Sequence, residues 1–389
     1  MEKTTSARAG SDPSELVDAL RVADHGPQDR FDRIVRTARD VFDVPMSYLN
    51  LVDEDFVHTL TPTVPGEARP VPADCSFCQF TVQSTETLVI PDTTADVRTA
   101  SLPGVTRHGI RFYAGVPITM PGGIRVGSLC LMDTRPRVLT DEEEAALVDL
   151  AQWAERLLAD GLQNDRLRAV VDATRPTDIV VPGYEVTGFS IPLQGELGGD
   201  MYDWSDGVDG VSFTLVDVMG KGRAAGMLAA GLRGALRARA GEAPDRAIAE
   251  LEAQIAAELA RVESFATLFH ARLAPPSGRV DFVDAGHGIV LHLRADGSAN
   301  VVRSLDLPIG LHPAGLPRAS GSLVLHPGDT LLVASDGVLD LGDGTLDALK
   351  LLGEQYREAG DPLVFEAVVR ERAHNLAEDD ITLIVVHRS

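Results

Sequence analysis

The sequence predicts an α+β chain of two differently built domains joined by a helical linker. Three observations carry this expectation. Segments with strand alternation and segments with helical period are interspersed twice, once over about 29–158 and again over about 180–389. A helix-period stretch separates the two sets, and Pro176 and Pro182-Gly183 close it off. In the second set, two long helical stretches interrupt many short strands, the pattern of a sandwich whose sheets are buried under helices.

Composition narrows the class. A length of 389 residues allows two or three domains, and 44% hydrophobic with 24% charged residues is ordinary for globular chains with real cores. A net charge of −23 argues against nucleic acid or an anionic membrane as the main partner, because both require a basic footprint. Three cysteines fit a reducing compartment better than a disulfide scaffold. No apolar run follows Met1-Glu2-Lys3-Thr4-Thr5, and none elsewhere approaches the roughly 18 residues that span a bilayer. The expected location is cytoplasmic.

Residues 1–28 are polar and carry Gly10, Pro13, Gly26 and Pro27, so a flexible tail is expected, with one short amphipathic helix over Pro13–Val22. Phe31, Ile34, Val35, Ala38, Val41 and Phe42 then repeat at helical spacing until Pro45. Strands are expected at 47–53, 87–90, 112–118 and 125–133, the last two forming a hairpin around Pro121-Gly122-Gly123. Thr140-Asp141-Glu142-Glu143 reads as a capping box opening a helix. That helix carries Leu147, Leu150, Ala154 and Leu157, a seam that fails at Gly161 and Asn164 and resumes near Leu167, Val170 and Val171. Two readings stay open: a terminal helix packed on its own domain, or a dimerising helix that relays a signal through the linker at 159–179.

The first domain resembles a GAF domain, the sensor module of bacterial signalling proteins. The residues that carry the likeness are Ser76-Phe77-Cys78, Val89-Ile90-Pro91-Asp92, Arg111 to Pro117, and Gly127 to Asp133. The resemblance implies an antiparallel sheet with flanking helices over 29–158 and a ligand that the sequence does not name; a homodimer through this domain or the linker helix belongs to the second of the two open readings of the seam. Candidate sensing residues are the CxxC pair Cys75 and Cys78, with Phe112 and Tyr113. The plainer reading makes them two semi-buried thiols at a helix head and two core aromatics. A structural zinc site would need a second ligand pair, which Cys130 alone does not supply.

In the second domain, strands are expected at 184–191, 211–216, 264–273, 279–284, 289–293, 330–334 and 381–386, with helices over 223–239 and 244–261. Four segments share one design, an apolar or aromatic run beside an Asp. They are Leu197-Gly198-Gly199-Asp200 to Asp203, Leu215-Val216-Asp217-Val218-Met219-Gly220-Lys221-Gly222, Ser335-Asp336-Gly337, and Asp379-Asp380 ahead of Ile381. Carboxylates at strand ends can converge at one end of a sheet, and hard cations such as Mg²⁺ or Mn²⁺ want oxygen ligands. The expectation is a two-metal hydrolytic site. Taken singly, each Asp-Gly is a turn residue; the set of four is what points to chemistry.

These segments, with Phe265 to Phe269, Asp284-Ala285-Gly286-His287, Leu307 to Leu311 and Pro327-Gly328-Asp329, resemble the metal-dependent protein phosphatases (PPM, protein phosphatase 2C-like) of the SpoIIE-like branch. The resemblance implies an α-β-β-α sandwich over 180–389. It also implies two Mn²⁺ or Mg²⁺ ions that activate a water, with Asp217 bridging them. Asp200 and the Val218 carbonyl would complete one ion, and Asp336 with Asp379 the other, with Asp380 either an outer ligand through water or a structural residue. Asp203 is a less secure outer residue. The implied substrate is a phosphoserine or phosphothreonine on a partner protein of the anti-sigma-factor antagonist type. His287 is a candidate for orienting phosphate or donating a proton, against the reading of a satisfied turn histidine. Two departures stand out: Asp284 replaces the family's usual Asn, and Pro192-Leu193-Gln194-Gly195-Glu196 lacks the usual basic residue. Of the rival readings, a silent scaffold would have lost a ligand Asp. A nucleotide cyclase would want more basic residues than Lys221 and Arg223, and a metal phosphodiesterase would add a histidine cluster.

Overall fold

The computed structural model describes residues 13–22, 29–61, 69–192, 198–207, 210–304, 306–313 and 315–389. The chain divides into two compact units, Met1–Arg166 and Leu167–Ser389.

The first unit runs α1 (Pro13–Val22), α2 (Asp29–Phe42), β1 (Met46–Val52), β2 (Phe56–Thr59), β3 (Val71–Pro72), α3 (Cys78–Thr81), β4 (Leu88–Ile90), α4 (Pro103–Thr106), β5 (Phe112–Met120), β6 (Ile124–Asp133) and the start of α5 (Asp141–Ala173). Its six strands form one antiparallel sheet in the order β3-β2-β1-β6-β5-β4. Side chains alternate across a strand, so β5 sends Phe112, Ala114, Val116 and Ile118 into one core and Tyr113 into another. The first core is closed by α1, α2 and α5 and the second by α3 and its flanking loops. The hairpin at Gly122 and Gly123 has both glycines at positive φ, as the turn demands. The capping box forms: Glu143 N–H donates to Thr140 Oγ1 at 3.2 Å, and Thr140 N–H donates to Glu143 Oε2 at 2.8 Å.

The helix expected over Pro13–Val22 forms as α1, and its Val17 and Leu20 are wholly buried in the first core; residues 1–12 and 23–28 lie outside the described set. Two expectations need correction here. Val41 is 60% exposed, because it falls off the face that Phe31, Ile34, Val35, Ala38 and Phe42 share. In α5 the buried stripe is Leu147, Ala151, Ala154, Leu158, Gly161 and Leu162, wider than the expected seam and unbroken at Gly161. Over this stretch the helix packs on the core of its own domain.

The second unit continues with β7 (Tyr184–Ile191), β8 (Asp200–Gly207), β9 (Gly210–Val218), α6 (Arg223–Arg237), α7 (Pro244–Arg261), β10 (Ala266–Ala274), β11 (Arg279–Ala285), β12 (Val290–Leu293), β13 (Ala299–Val302), β14 (Ser320–Val324), β15 (Thr330–Ala334), a 3-10 turn (Asp336–Leu341), α8 (Asp347–Ala359), α9 (Pro362–Leu376) and β16 (Ile381–Arg388). Two antiparallel five-stranded sheets result, β14-β11-β10-β9-β8 and β13-β12-β15-β16-β7. Phe213, Leu215 and Phe269 of one sheet meet Leu331, Val333, Ile384 and Val386 of the other in a shared core. Each such aliphatic or aromatic side chain contributes about 1.5–3 kcal/mol on full burial. Helices α6 and α7 cover the outer face of the first sheet and α8 and α9 that of the second, giving an α-β-β-α sandwich. Among the described residues no helix is long and apolar enough to cross a membrane.

Candidate metal centre

The acids of the second unit arise from the same alternation that builds its core. Tyr202 and Trp204 of β8, and Val211, Phe213 and Leu215 of β9, point between the sheets. Two residues further along these rows come Asp200 and Asp217, where the sandwich opens at its end. They are direct cross-strand partners, and Asp217 also faces Thr267 of β10. Gly199 lets β8 start against β9: its carbonyl accepts from Val218 N–H at 3.1 Å, and a Cβ there would collide with the Val218 carbonyl.

The second sheet supplies the remaining acids. Asp336 follows β15 through Ser335, and Asp379 and Asp380 precede β16. Ser335 N–H donates to the Thr382 carbonyl at 2.9 Å, and Thr382 N–H donates to Ser335 Oγ at 2.9 Å, which clips the two loops together. Gly337 is required at this crossing, since a Cβ would strike the Asp380 carbonyl. The outcome is a cleft of about 290 Å³ lined by Gly199, Asp200, Asp217, Val218, Thr267, Asp336, Asp379 and Asp380, with Met219, Gly220, Lys221 and Phe265 on its rim.

Electrostatics mark this as a place that wants a cation. Burial first, then the Asp217 charge, push the Asp200 carboxyl well above the usual carboxylate range. Asp217 is pushed up to about 6 by burial and then by Asp336 and Asp379. Asp336 is raised by burial and by Asp379. Oδ2 of Asp200 is shut off from solvent without a hydrogen-bond partner. Among the described residues no three His, Cys, Asp or Glu side chains close round one point tightly enough to hold an ion by themselves. An all-oxygen donor set with room for water suits Mg²⁺ or Mn²⁺, since Mg²⁺ keeps several waters beside one or two carboxylates. The residues fit the ions that the resemblance implies.

Two candidates fall outside the cleft. Asp203 lies three residues along β8, on the opposite face, where Arg237 of α6 meets it at 2.8 Å. His287 is buried and does not line the cleft; burial pushes its ring down to about 4. Asp284 does the turn work of the Asn it replaces, accepting from the N–H groups of His287 at 2.8 Å and Gly288 at 3.1 Å. Leu197 lies outside the described residues. The sequence reading passed over Thr267 and Ser335; the strand pairing with Asp217 and the place beside Asp336 were the available signals.

In the first unit the expected group of four separates. Cys75 is partly exposed, whereas Cys78 is buried beside Cys130. Asn50 Nδ2 donates to Cys78 Sγ at 3.4 Å and to Cys130 Sγ at 3.6 Å. The hydrogen bond from Cys130 brings Cys78 down to about 6. Tyr113 joins this group, its hydroxyl 2.6 Å from Thr81 Oγ1 and its ring stacked on Phe77 at 5.0 Å. Phe112 points to the opposite core.

The second unit is a helix–sheet–sheet–helix sandwich with carboxylates gathered at the open end of its sheets, a build suited to holding divalent cations. Residues 207–389 match the family model of stage II sporulation protein E (SpoIIE), and residues 26–158 match that of the GAF domain. The chain thus joins a GAF domain to a SpoIIE-family domain. A curated relative, "Cyclic di-GMP phosphodiesterase PA2567" of Pseudomonas aeruginosa, is 28% identical over 34% of this chain and 23% of its own length. The chain therefore spans less than a quarter of that relative. Among solved structures, the RsbU and RsbW domains of Rv1364c from Mycobacterium tuberculosis superpose with a TM-score of 0.47 at 25% identity, covering 54% of this chain and 62% of that one. The catalytic domain of the serine/threonine phosphatase PstP, in complex with two manganese ions, gives 0.41 at 19% identity, over 52% and 97%. The assignment rests on the family matches and the cleft, not on these superpositions.

Proposed function

We propose that the chain is a sensor-regulated phosphatase that hydrolyses a phosphoserine or phosphothreonine on a partner protein in the cleft at the end of its sandwich. The observation that supports this best is the in-register pair Asp200 and Asp217, two half-buried carboxylates directly opposite each other, with Asp200 Oδ2 unpartnered. Like charges placed so are destabilising unless something positive lies between them.

In this reading Asp217, Asp200 and the Val218 carbonyl, with Asp336, Asp379 and Asp380, would hold two Mn²⁺ or Mg²⁺ ions, Asp217 being the residue that both would share. Such ions supply an activated water and neutralise charge on the phosphoryl oxygens. The chain's own part is to position. Thr267 faces Asp217 across the β9–β10 pair, and Ser335 ties the two acid loops together, its hydroxyl donating to the Asp380 carbonyl at 3.3 Å. Gly199 and Gly337 allow the backbone approach that brings the two sheets' acids into one cleft. His287, buried away from the cleft, is left with a structural role.

The substrate class, a phosphorylated anti-sigma-factor antagonist, follows from the family resemblance, as does control by the GAF domain. Boundaries at 29–158 for the sensor and 180–389 for the phosphatase belong to the same reading. A silent scaffold remains the rival, and the presence of all the cleft acids disfavours it. The test is hydrolysis of an aryl phosphate by the full chain with Mn²⁺. Turnover that EDTA and Asp217→Asn both abolish supports the phosphatase; turnover that survives either one overturns it.

A further inference from the structure

One cation lines the acid cleft among the described residues, and neither the fold nor the ligand set accounts for it. Lys221 Nζ lies 3.2 Å from Asp379 Oδ1 and donates to the Glu378 carbonyl at 3.3 Å. It bridges segments 157 residues apart in sequence. Its backbone is held in place between Gly220 and Gly222, both at positive φ (100° and 84°), immediately before α6. The side chain is not held in this way. Both partners of the ion pair are about half exposed, at 55% and 46%. A pair so exposed contributes at most about 1 kcal/mol, and the lysine stem has four rotatable carbons to swing on.

The charge count gives this lysine a task. Five carboxylates and one ammonium line the cleft, leaving a formal charge of −4 that two divalent cations would cancel. A phosphate monoester dianion then arrives in a cleft whose described lining offers no cationic side chain besides Lys221. The segment at 192–196 contains neither Lys nor Arg.

Building on the phosphatase reading, we infer that Lys221 exchanges partners during the catalytic cycle. Its ammonium pairs with the Asp379 carboxylate and so competes with a divalent cation for it. Once Asp379 has taken a cation, the released ammonium, rooted on the cleft rim, binds a phosphoryl oxygen of the substrate. A charge-assisted hydrogen bond of this kind steadies both the bound ester and the charge that builds up as its bond to the leaving group breaks.

The two halves predict opposite signs for one substitution. In Lys221→Met, Mn²⁺ binding followed by calorimetry should tighten, roughly threefold to fivefold at the weaker step, since a competing surface pair has been removed. Aryl phosphate turnover at saturating Mn²⁺ should nevertheless fall about tenfold or more, with Lys221→Arg recovering part of the loss. Mn²⁺ binding that weakens or stays the same overturns the exchange. Turnover unchanged at saturating Mn²⁺ overturns the phosphoryl contact. A parent chain that binds Mn²⁺ but hydrolyses nothing would overturn the phosphatase reading instead, and the calorimetric comparison would still decide the Asp379 half.

Discussion

Asp200 and Asp217 stand opposite each other on neighbouring strands, at the point where two rows of core side chains reach the mouth of the sandwich. Upstream in each row the residues are aromatic or aliphatic, and at the end both become carboxylates. The same geometry that packs Tyr202 against Leu215 therefore presses two negative charges together. This is a cost to the empty fold and an asset to a metal-loaded one.

Asp217→Asn should therefore stabilise the chain in EDTA while removing its stabilisation by metal. Thermal melts of parent and variant would show it. The variant's Tm should lie above the parent's without metal, by the order of 1 kcal/mol expected for relief of a directly opposed pair. Adding Mn²⁺ at about 100 times its Kd should raise parent stability by about 2.7 kcal/mol and the variant's far less. A lower Tm in EDTA for the variant would mean that the pair is not repulsive.

Gly337→Ala places a methyl group against the Asp380 carbonyl at the crossing of the two acid loops. Overpacking of this kind costs about 1–3 kcal/mol, and here the displaced backbone carries Asp336, Asp379 and Asp380. Urea unfolding should show a destabilised chain, and Mn²⁺ titration a raised midpoint for activity. Gly344, at a turn with open space around it, is a suitable control site. A similar loss in a Gly344→Asn variant would detach the effect from the loop crossing.

Acid should weaken the phosphatase domain through its buried histidines. His270 is 1% exposed, with Nδ1 2.7 Å from Thr214 Oγ1 and no partner for Nε2. Burial lowers its pKa from 6.5 to about 4. A depressed histidine leaves the unfolded chain holding the extra proton between those values. Stability is then complete above about pH 6.5 and declines as pH falls toward 4, by roughly 3 kcal/mol at most. His270→Gln should flatten this slope in urea unfolding measured from pH 7 to pH 4. An unaltered slope would exclude His270 as its source.

Thiol labelling should separate the three cysteines. Cys75 is partly exposed, while Cys78 and Cys130 are wholly buried around Asn50. The native chain should consume one equivalent of a thiol reagent quickly and the other two only as the GAF domain opens. In Cys75→Ser the fast phase should vanish. Its persistence would place another thiol at the surface.

Much of this was legible in the sequence, and the misses have physical causes. Apolar runs ending in Asp at 217 and 336, and an Asp pair opening the last strand, announced the cleft because strand periodicity carries core residues and ligands in one row. The capping box at Thr140 and the Gly122-Gly123 turn were local devices, fixed by bonds within a few residues. Strand β8 was not recognised as one, because Asp200, Asp203, Asp206 and Gly207 are residue types that strands disfavour; its place is set by pairing with β9. The partner of Cys78 could not be read from CxxC spacing, since β6 brings Cys130 to it from 52 positions away only once the sheet forms. The wider stripe of α5 over 147–162 reflects a helix lying on a broad core. The ion pair of Lys221 with Asp379 depends on the meeting of both sheets, which no local pattern encodes.

The account turns on whether the cleft acids hold two cations together. Counting bound Mn²⁺ by the loss of the free-ion EPR signal, in the full chain and in Asp217→Asn, addresses this directly. Two ions per parent chain, with at least one lost and the other weakened in the variant, is the predicted result. A variant that binds two ions as tightly as the parent would contradict the assignment of Asp217 as the bridge, and with it the two-metal site.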